Sequence, residues 1–288
     1  MQDVKNTNHY TIIFGNHLEC IQNRTFLNGT PIDILFDRYP YQKYPNTDPL
    51  HPNSCTFLEQ LPPVCNPRSF IELCKDKWAF QKWMEQHGIY MPPVVETHFS
   101  EALQKWDGMA IAKPRFGSFG VGIEIVYEEP VPFRQSVQGM DPTLLQKYIR
   151  PPNGFAGIAV RQLLQRNKDR SWTFRTIVAR TSKDDPIINA ARGADICYAS
   201  EILPKNCIEN IQTQSKKIAS IMGTWSPYII EVGLDYVIDA TFSPIFIEAN
   251  AQPKGKLKAL VQKEQNESIQ QEYEEILQHP FEVLSAWV

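Results

Sequence analysis

The chain has 288 residues, a formal net charge of -3, 42% hydrophobic and 21% charged residues. This balance excludes a disordered chain and a dedicated nucleic-acid surface, which would show as clustered excess Lys and Arg. The length suffices for one composite core or two to three subdomains. The N-terminal residues carry no signal-like apolar stretch and no run reaches membrane-span length, so the expectation is a cytoplasmic protein with neither membrane nor nucleic-acid partner.

In chain order, Tyr10 to Phe14 and Ile32 to Phe36 read as short strands of a small N-terminal α/β subdomain. Tyr39 to Pro67, dense in Pro, Asn and Tyr, reads as an irregular connector. Asn66-Pro67 reads as an N-cap followed by proline at the first helical position. The helix that follows sets Phe70, Leu73, Cys74, Trp78 and Ala79 or Phe80 near one side, with Gly88 as its C-terminal cap. Trp78, Trp83 and Met84 sit at helical spacing and read as core rather than as a base-stacking platform. Pro92-Pro93 stops any continuation.

Met109 to Tyr127 contains two apolar strands around a loop with Gly117, Gly120 and Gly122. Such glycines let successive backbone N–H groups face an anion, and Lys113 at the end of the incoming strand adds a point charge. It is no Walker loop, because Gly-Lys-Ser/Thr and a following helix are missing. An ordinary tight turn with a surface lysine is the competing reading. Trp172 to Arg175 lies on a strand, where Arg175 either orients an acceptor carboxylate or makes a structural ion pair. Arg192 precedes Gly193 just after an apolar strand. Ile208 to Met222 reads as an amphipathic helix, and Ser268 to Trp287 as one or two helices with Glu272, Glu274 and Glu275 on a solvated face.

The most informative segment is Val232 to Ile238 with Ile245 to Ala249, two β-branched apolar runs joined by a turn-rich interval. As a hairpin it projects Glu248 and Asn250 to one face, and a registered partner strand sets Asp235 beside them. Carboxylates on apolar strands need a cation or charged partner, and oxygen-only ligands suit Mg²⁺ or Mn²⁺ shared with substrate phosphates. The alternative puts both acids on the solvent side of an edge hairpin. Six cysteines (Cys20, Cys55, Cys65, Cys74, Cys197, Cys207) show no metal spacing, and Cys74 reads as packing. The six histidines lack a base or metal partner in sequence. Lys205 and Lys254 read as solvated.

Taken together, the glycine-rich hairpin after Ile-Ala-Lys-Pro, Leu144-Leu-Gln-Lys-Tyr-Ile149, the Arg-bearing strand and the Asp to Glu-x-Asn pair resemble the ATP-grasp superfamily of carboxylate-amine ligases. The resemblance runs from Asn66 to Gly255. It implies an α+β fold in which two α+β subdomains sandwich ATP, with a small N-terminal α/β subdomain: residues 1–66 N-terminal, 67–149 central, 150–288 C-terminal. It further implies that Lys113 and Lys77 contact phosphates, with Lys75 competing for the role of Lys77. Arg115, Gly117, Ser118, Phe119 and Gly120 would belong to a mobile lid. Gln146, Lys147, Tyr148 and Ile149 would form the adenine-reading connector, Arg192 would meet the γ-phosphate and acyl phosphate, and Arg175 and Arg192 would face the substrate. Asp235, Glu248 and Asn250 would hold Mg²⁺. Asp37 to Tyr39 and the short N-terminal part resemble the YheC/YheD-type members.

The implied chemistry is ATP-dependent activation of a small-molecule carboxylate as an acyl phosphate and its joining to an amine, such as an amino acid or peptide. Thr173 replaces an Asp common in relatives, and the Asn and paired glycines usual after Arg192 are missing, so the departures fall on the acceptor side. Two alternatives stay open: a nucleotide-binding structural or regulatory protein without turnover, and a small-molecule phosphotransferase.

Overall fold

The computed structural model describes residues 18–21, 24–27, 30–36, 63–116, 122–127, 142–188, 193–253 and 256–287. The expected strand Tyr10 to Phe14, the segment Asp37 to Tyr39, Gly117 to Gly120, Arg192 and Lys254 lie outside the described residues.

At the N-terminal end, β1 (Leu18–Ile21), β2 (Arg24–Leu27) and β3 (Thr30–Pro31) form an antiparallel three-stranded sheet. β4 (Leu35–Phe36) pairs in parallel with β5 (Val64–Cys65). The expected irregular connector therefore ends earlier than Pro67, in a short strand that is too brief for any periodicity to announce. Ile34 and Phe36 pack with Cys65, Ile230, Val283 and Leu284, tying this segment to the C-terminal helix.

One helix was expected up to Gly88, and two are found: α1 (Arg68–Lys75) and α2 (Lys77–Gln86). Asp76 breaks them apart, because its side chain accepts from the Trp78 and Ala79 amides and so caps α2. Asn66 is not the side-chain cap of α1. Its amide instead donates to the carbonyls of Glu231 and Ala251, and its oxygen accepts from the Ile230 and Glu231 amides. Gly88, at φ +69°, closes α2 as expected.

Next, β6 (Val94–Val95), α3 (Phe99–Lys105), β7 (Met109–Pro114), β8 (Glu124–Tyr127) and β9 (Thr143–Lys147) build an antiparallel four-stranded sheet in the order β6-β9-β7-β8. The larger sheet holds β10 (Gly157–Arg166), β11 (Trp172–Ser182), β12 (Asp195–Tyr198), β13 (Glu231–Ile238) and β14 (Pro244–Asn250) in the order β12-β11-β10-β13-β14, also antiparallel. Between β12 and β13 come α4 (Ala199–Ile202) and α5 (Lys205–Trp225), and the chain closes with α6 (Lys256–Glu264) and α7 (Glu267–Trp287).

The two faces of the larger sheet are covered differently. Tyr236, Phe246 and Leu234 join Phe70, Phe80, Met84, Ile211, Ile218 and Met222 in one core, so α1, α2 and α5 cover this face. Full burial of each such side chain stabilises by roughly 1.5–3 kcal/mol. Trp83 packs edge-on to Trp225 and Met84 is buried, in keeping with the core reading. On the other face, Val178 packs with Leu257, Leu260, Ile269 and Ile276 of α6 and α7. Glu272 and Glu275 are not simply solvated. Glu272 accepts from the amide and hydroxyl of Thr176, and Glu275 lies 3.6 Å from Arg175.

Candidate active site

The site begins with a misfit in strand length. Asp235 is the cross-strand neighbour of Glu248, whereas Tyr236 is that of Phe246, so Ile247 is one residue extra. Without this bulge Phe246 and Glu248, two apart, would share a face. With it Phe246 goes to the core and Glu248 joins Asp235 on the opposite face. Asn250, opposite Gly233, shares that face.

Asp235 is 3% exposed, and its partner is Arg161 of β10, directly across the other strand neighbour. Arg161 donates from Nε to Oδ1 at 2.7 Å and from Nη2 to Oδ2, a bidentate grip. Burial opposes the Arg161 charge, but Asp235 outweighs it and holds the guanidinium above its usual pKa. Gly233 makes room for this arginine, since a β-carbon there would stand 3.3 Å from Arg161 Cδ and 3.2 Å from Pro253 Cβ. A second arginine, Arg180 of β11, pairs with Ala159, two residues from Arg161, and so shares its face. Burial pushes the Arg180 pKa down, and the charges of Asp235 and Glu248 oppose that push.

The smaller sheet contributes Lys113 near the end of β7, 7% exposed. Its Nζ donates to Gln146 Oε1 at 2.7 Å, and Gln146 in turn donates to Gln81 Oε1 and to the Pro92 carbonyl. Burial brings the Lys113 pKa down to about 8, against the pull of Glu248 and with a push from Lys77. Lys77 stands at the start of α2, its amide donating to the Arg115 carbonyl at 3.2 Å. Lys113, Lys77 and Glu248, read as phosphate and metal groups from sequence, thus come from different elements to one place.

Other expected site residues stand differently. Arg115 is clamped rather than free: it donates to both carboxylate oxygens of Asp76, at 2.7 and 2.6 Å, and to Glu96 at 2.7 Å. Burial opposes the charge of Asp76, yet Arg115 and the capping amides hold its pKa below the usual carboxylate value. Arg175 turns to α7, donating to Gln165 Oε1 at 2.9 Å and facing Glu275, and none of its described hydrogen-bond or ion-pair partners is Asp235, Glu248 or Asn250. Gln146 and Lys147 end β9, and Lys147, Tyr148 and Ile149 line a hollow with Met109 and with Asp239 and Ala240 of the β13–β14 turn. This connector therefore bridges the two sheets beside the hairpin. Cys74 is packing: burial and Glu248 both push its thiol pKa up.

The residues present fit a divalent cation that arrives with a nucleotide better than one held by protein alone. Among the described residues there is no group of three His, Cys, Asp or Glu suited to a metal. Glu248 and Asn250 supply hard oxygen donors on one face. Asp235 adds a third, with lone pairs beyond those that grip Arg161. Such a sparse set matches Mg²⁺, which keeps waters and shares its shell with phosphates.

Arg161, Arg180, Asp76 and Gln81 escaped the sequence reading. A signal existed for Arg161, because a charge inside the Gly157 to Leu164 run, in which Gln162 is the one other polar side chain, demands a buried counter-charge. Nothing comparable marked Arg180.

Comparison with known proteins agrees with this geometry. A family model described as YheC/D-like ATP-grasp matches residues 131–281, a little over half of the chain. No curated protein matches. Among solved structures, carboxyaminoimidazole ribonucleotide synthase from Aspergillus clavatus complexed with ATP is similar with a TM-score of 0.54 and 10% identity, over 79% of this chain and 56% of that one. The N5-carboxyaminoimidazole synthetase from Staphylococcus aureus complexed with ADP gives 0.52 and 14%, over 77% and 54%. The Thermotoga maritima N5-carboxyaminoimidazole ribonucleotide synthetase gives 0.50 and 12%, over 69% and 48%. The chain thus spans about half the length of these structures, and at such identities the likeness concerns the fold. The family match lies downstream of Asp37 to Tyr39, the segment that first suggested this branch. The fold is α+β of the ATP-grasp type, and the chain belongs to the YheC/D-like ATP-grasp family.

Proposed function

We propose that the protein is an ADP-forming ligase that activates a substrate carboxylate with ATP and joins it to an amine. The observation that carries this reading is the meeting of Lys113 and Lys77, on the side of the smaller sheet, with Glu248, Asn250 and Asp235 on the bulged hairpin. Cations on one side and oxygen donors on the other suit a metal-bound polyphosphate. The binding of ATP by one of the similarly folded proteins supports the same choice of nucleotide.

In the first step a carboxylate oxygen attacks the γ-phosphorus, the bond to the β–γ bridging oxygen breaks, and ADP leaves with the electron pair. Lys113 and Lys77 draw negative charge from the phosphates as it develops. In the second step the amine attacks the acyl carbon, loses a proton, and inorganic phosphate leaves with the C–O electron pair. Mg²⁺, or Mn²⁺, supplies charge neutralisation at the phosphates, and Glu248, Asn250 and Asp235 would hold it. Arg192 remains the proposed contact for the acyl phosphate on sequence grounds. No covalent protein nucleophile is required. The subdomain division at residues 66 and 149 goes with this reading, as do small-molecule partners and a cytoplasmic setting; among the described residues no helix is long and apolar enough to cross a membrane.

A second reading, nucleotide binding without turnover, draws on Arg175, whose guanidinium is engaged by Gln165 and Glu275 on the acceptor side. ADP release from Mg²⁺-ATP against pools of amino acids and small carboxylates separates the two. Release that needs both a carboxylate and an amine and vanishes in Glu248→Gln supports the ligase. ATP-dependent thermal stabilisation with no release in any pool supports the second reading.

A further inference from the structure

Two arginines and two carboxylates meet on the site face of the larger sheet, and they are not equivalent. Arg161 and Asp235 satisfy each other in a buried bidentate pair. The other two groups are open. Among the described residues neither Glu248 nor Arg180 makes a side-chain hydrogen bond or ion pair, although each lies within electrostatic reach of the other. Their places follow from register. Arg180 stands opposite Ala159 on β10, two residues from Arg161, which in turn stands opposite Asp235, the neighbour of Glu248. An open carboxylate and an open guanidinium on one face, held apart by a closed pair, are complementary to a ligand that presents a cation and an anion side by side.

We propose that Arg180 is a second contact, beside the Arg192 that the resemblance implies, for the transferable terminal phosphoryl group and for the acyl phosphate it becomes, while Arg161 is reserved as the positioning residue that aims Asp235. The assignment deepens the proposed ligase reading and rests on it. Glu248 would help hold a divalent cation that neutralises phosphate charge, and the Arg180 guanidinium on the same face would meet the phosphoryl oxygens. A guanidinium suits this role because its planar fork matches phosphoryl oxygens in pairs. Arg161 cannot serve equally, because breaking its pair would leave Asp235 buried without compensation.

The test is nucleotide affinity by calorimetry in wild type, Arg180→Met and Arg180→Lys, with Mg²⁺-ADP set against the Mg²⁺ complex of the imido analogue of ATP. Loss of a charge-assisted contact to the terminal phosphoryl should weaken analogue binding by about tenfold or more while ADP affinity changes less than about threefold. Arg180→Lys, which keeps the charge and loses the fork, should fall between wild type and Met for the analogue only. Equal weakening of both nucleotides, or of neither, in the folded variants overturns the assignment. If Arg180→Met does not fold, Arg180→Lys decides alone: selective loss of analogue affinity supports the role, and unchanged or uniformly reduced affinity refutes it. Wild-type protein that binds neither nucleotide would instead bring down the ligase reading beneath the assignment, an outcome distinct from failure of Arg180 alone.

Discussion

Glu248 stands directly across from Asp235 because Ile247 makes β14 one residue longer than β13 at that level. The bulge lets one strand send Phe246 into the core and Glu248 into the site although they are two residues apart. Deleting Ile247 should therefore straighten β14 while leaving Phe246 across from Tyr236 and Glu248 across from Asp235, whereas an alanine inserted after Ile247 puts Glu248 across from Leu234 and turns it toward the apolar core. The expected result is metal-dependent nucleotide binding kept by the deletion and by Ile247→Val and lost by the insertion. Calorimetry with Mg²⁺-ADP checks this, and an insertion variant that still binds as wild type would show that the strand register does not aim Glu248.

The Arg161–Asp235 pair makes a stability prediction. Arg161→Ala leaves a buried carboxylate without a partner and should cost about 3–5 kcal/mol in urea unfolding. Replacing both partners, as Arg161→Met with Asp235→Leu, should recover much of that loss, though not nucleotide binding. A double variant as unstable as the single one would mean that the pair is not the main term at these positions.

Asn66 fastens the start of β13 and the end of β14 through contacts with the backbone of Ile230, Glu231 and Ala251. Asn66→Ala removes these contacts and leaves buried backbone groups unmatched, at a cost of about 2–4 kcal/mol. Asn66→Asp should lose the two donated bonds and suffer comparably. Chemical denaturation measures both.

How far the site could be read from sequence depended on local pattern. The β13–β14 hairpin, the Lys113 strand and the Gly88 stop announce themselves through apolar alternation and turn residues. The Asp76 break did not, because a single Asp inside a helical pattern reads as a surface residue unless its own capping geometry is known. Arg161 and Arg180 depend on strand order, since β10 lies between β11 and β13, and that order is a non-local fact. The clamped Arg115 follows the same logic: its partners Asp76 and Glu96 are far away in sequence and meet only when α2 and β6 pack beside β7.

Lys113 predicts a pH dependence. Its folded pKa of about 8 lies below the ordinary lysine value of 10.5. Between these two values the unfolded chain binds the extra proton, so this group's contribution to stability rises with pH across that window. Below about pH 8 both states are protonated and the cost of burying the charge is present in full. Nucleotide phosphates favour the charged form, so binding above pH 8 should take up a proton at Lys113. Calorimetry in buffers of different ionisation enthalpy should show this uptake in wild type and lose it in Lys113→Met. Equal uptake in both would assign the proton elsewhere.

The most direct test of the ligase account follows oxygen from substrate to phosphate. With Mg²⁺-ATP, an amine pool and carboxylates enriched in heavy oxygen, attack of the carboxylate on the γ-phosphorus carries one labelled oxygen into the released inorganic phosphate. The account predicts singly labelled phosphate that depends on the carboxylate and disappears in Glu248→Gln. Unlabelled phosphate, or label retained in a stable phosphorylated product, would contradict it.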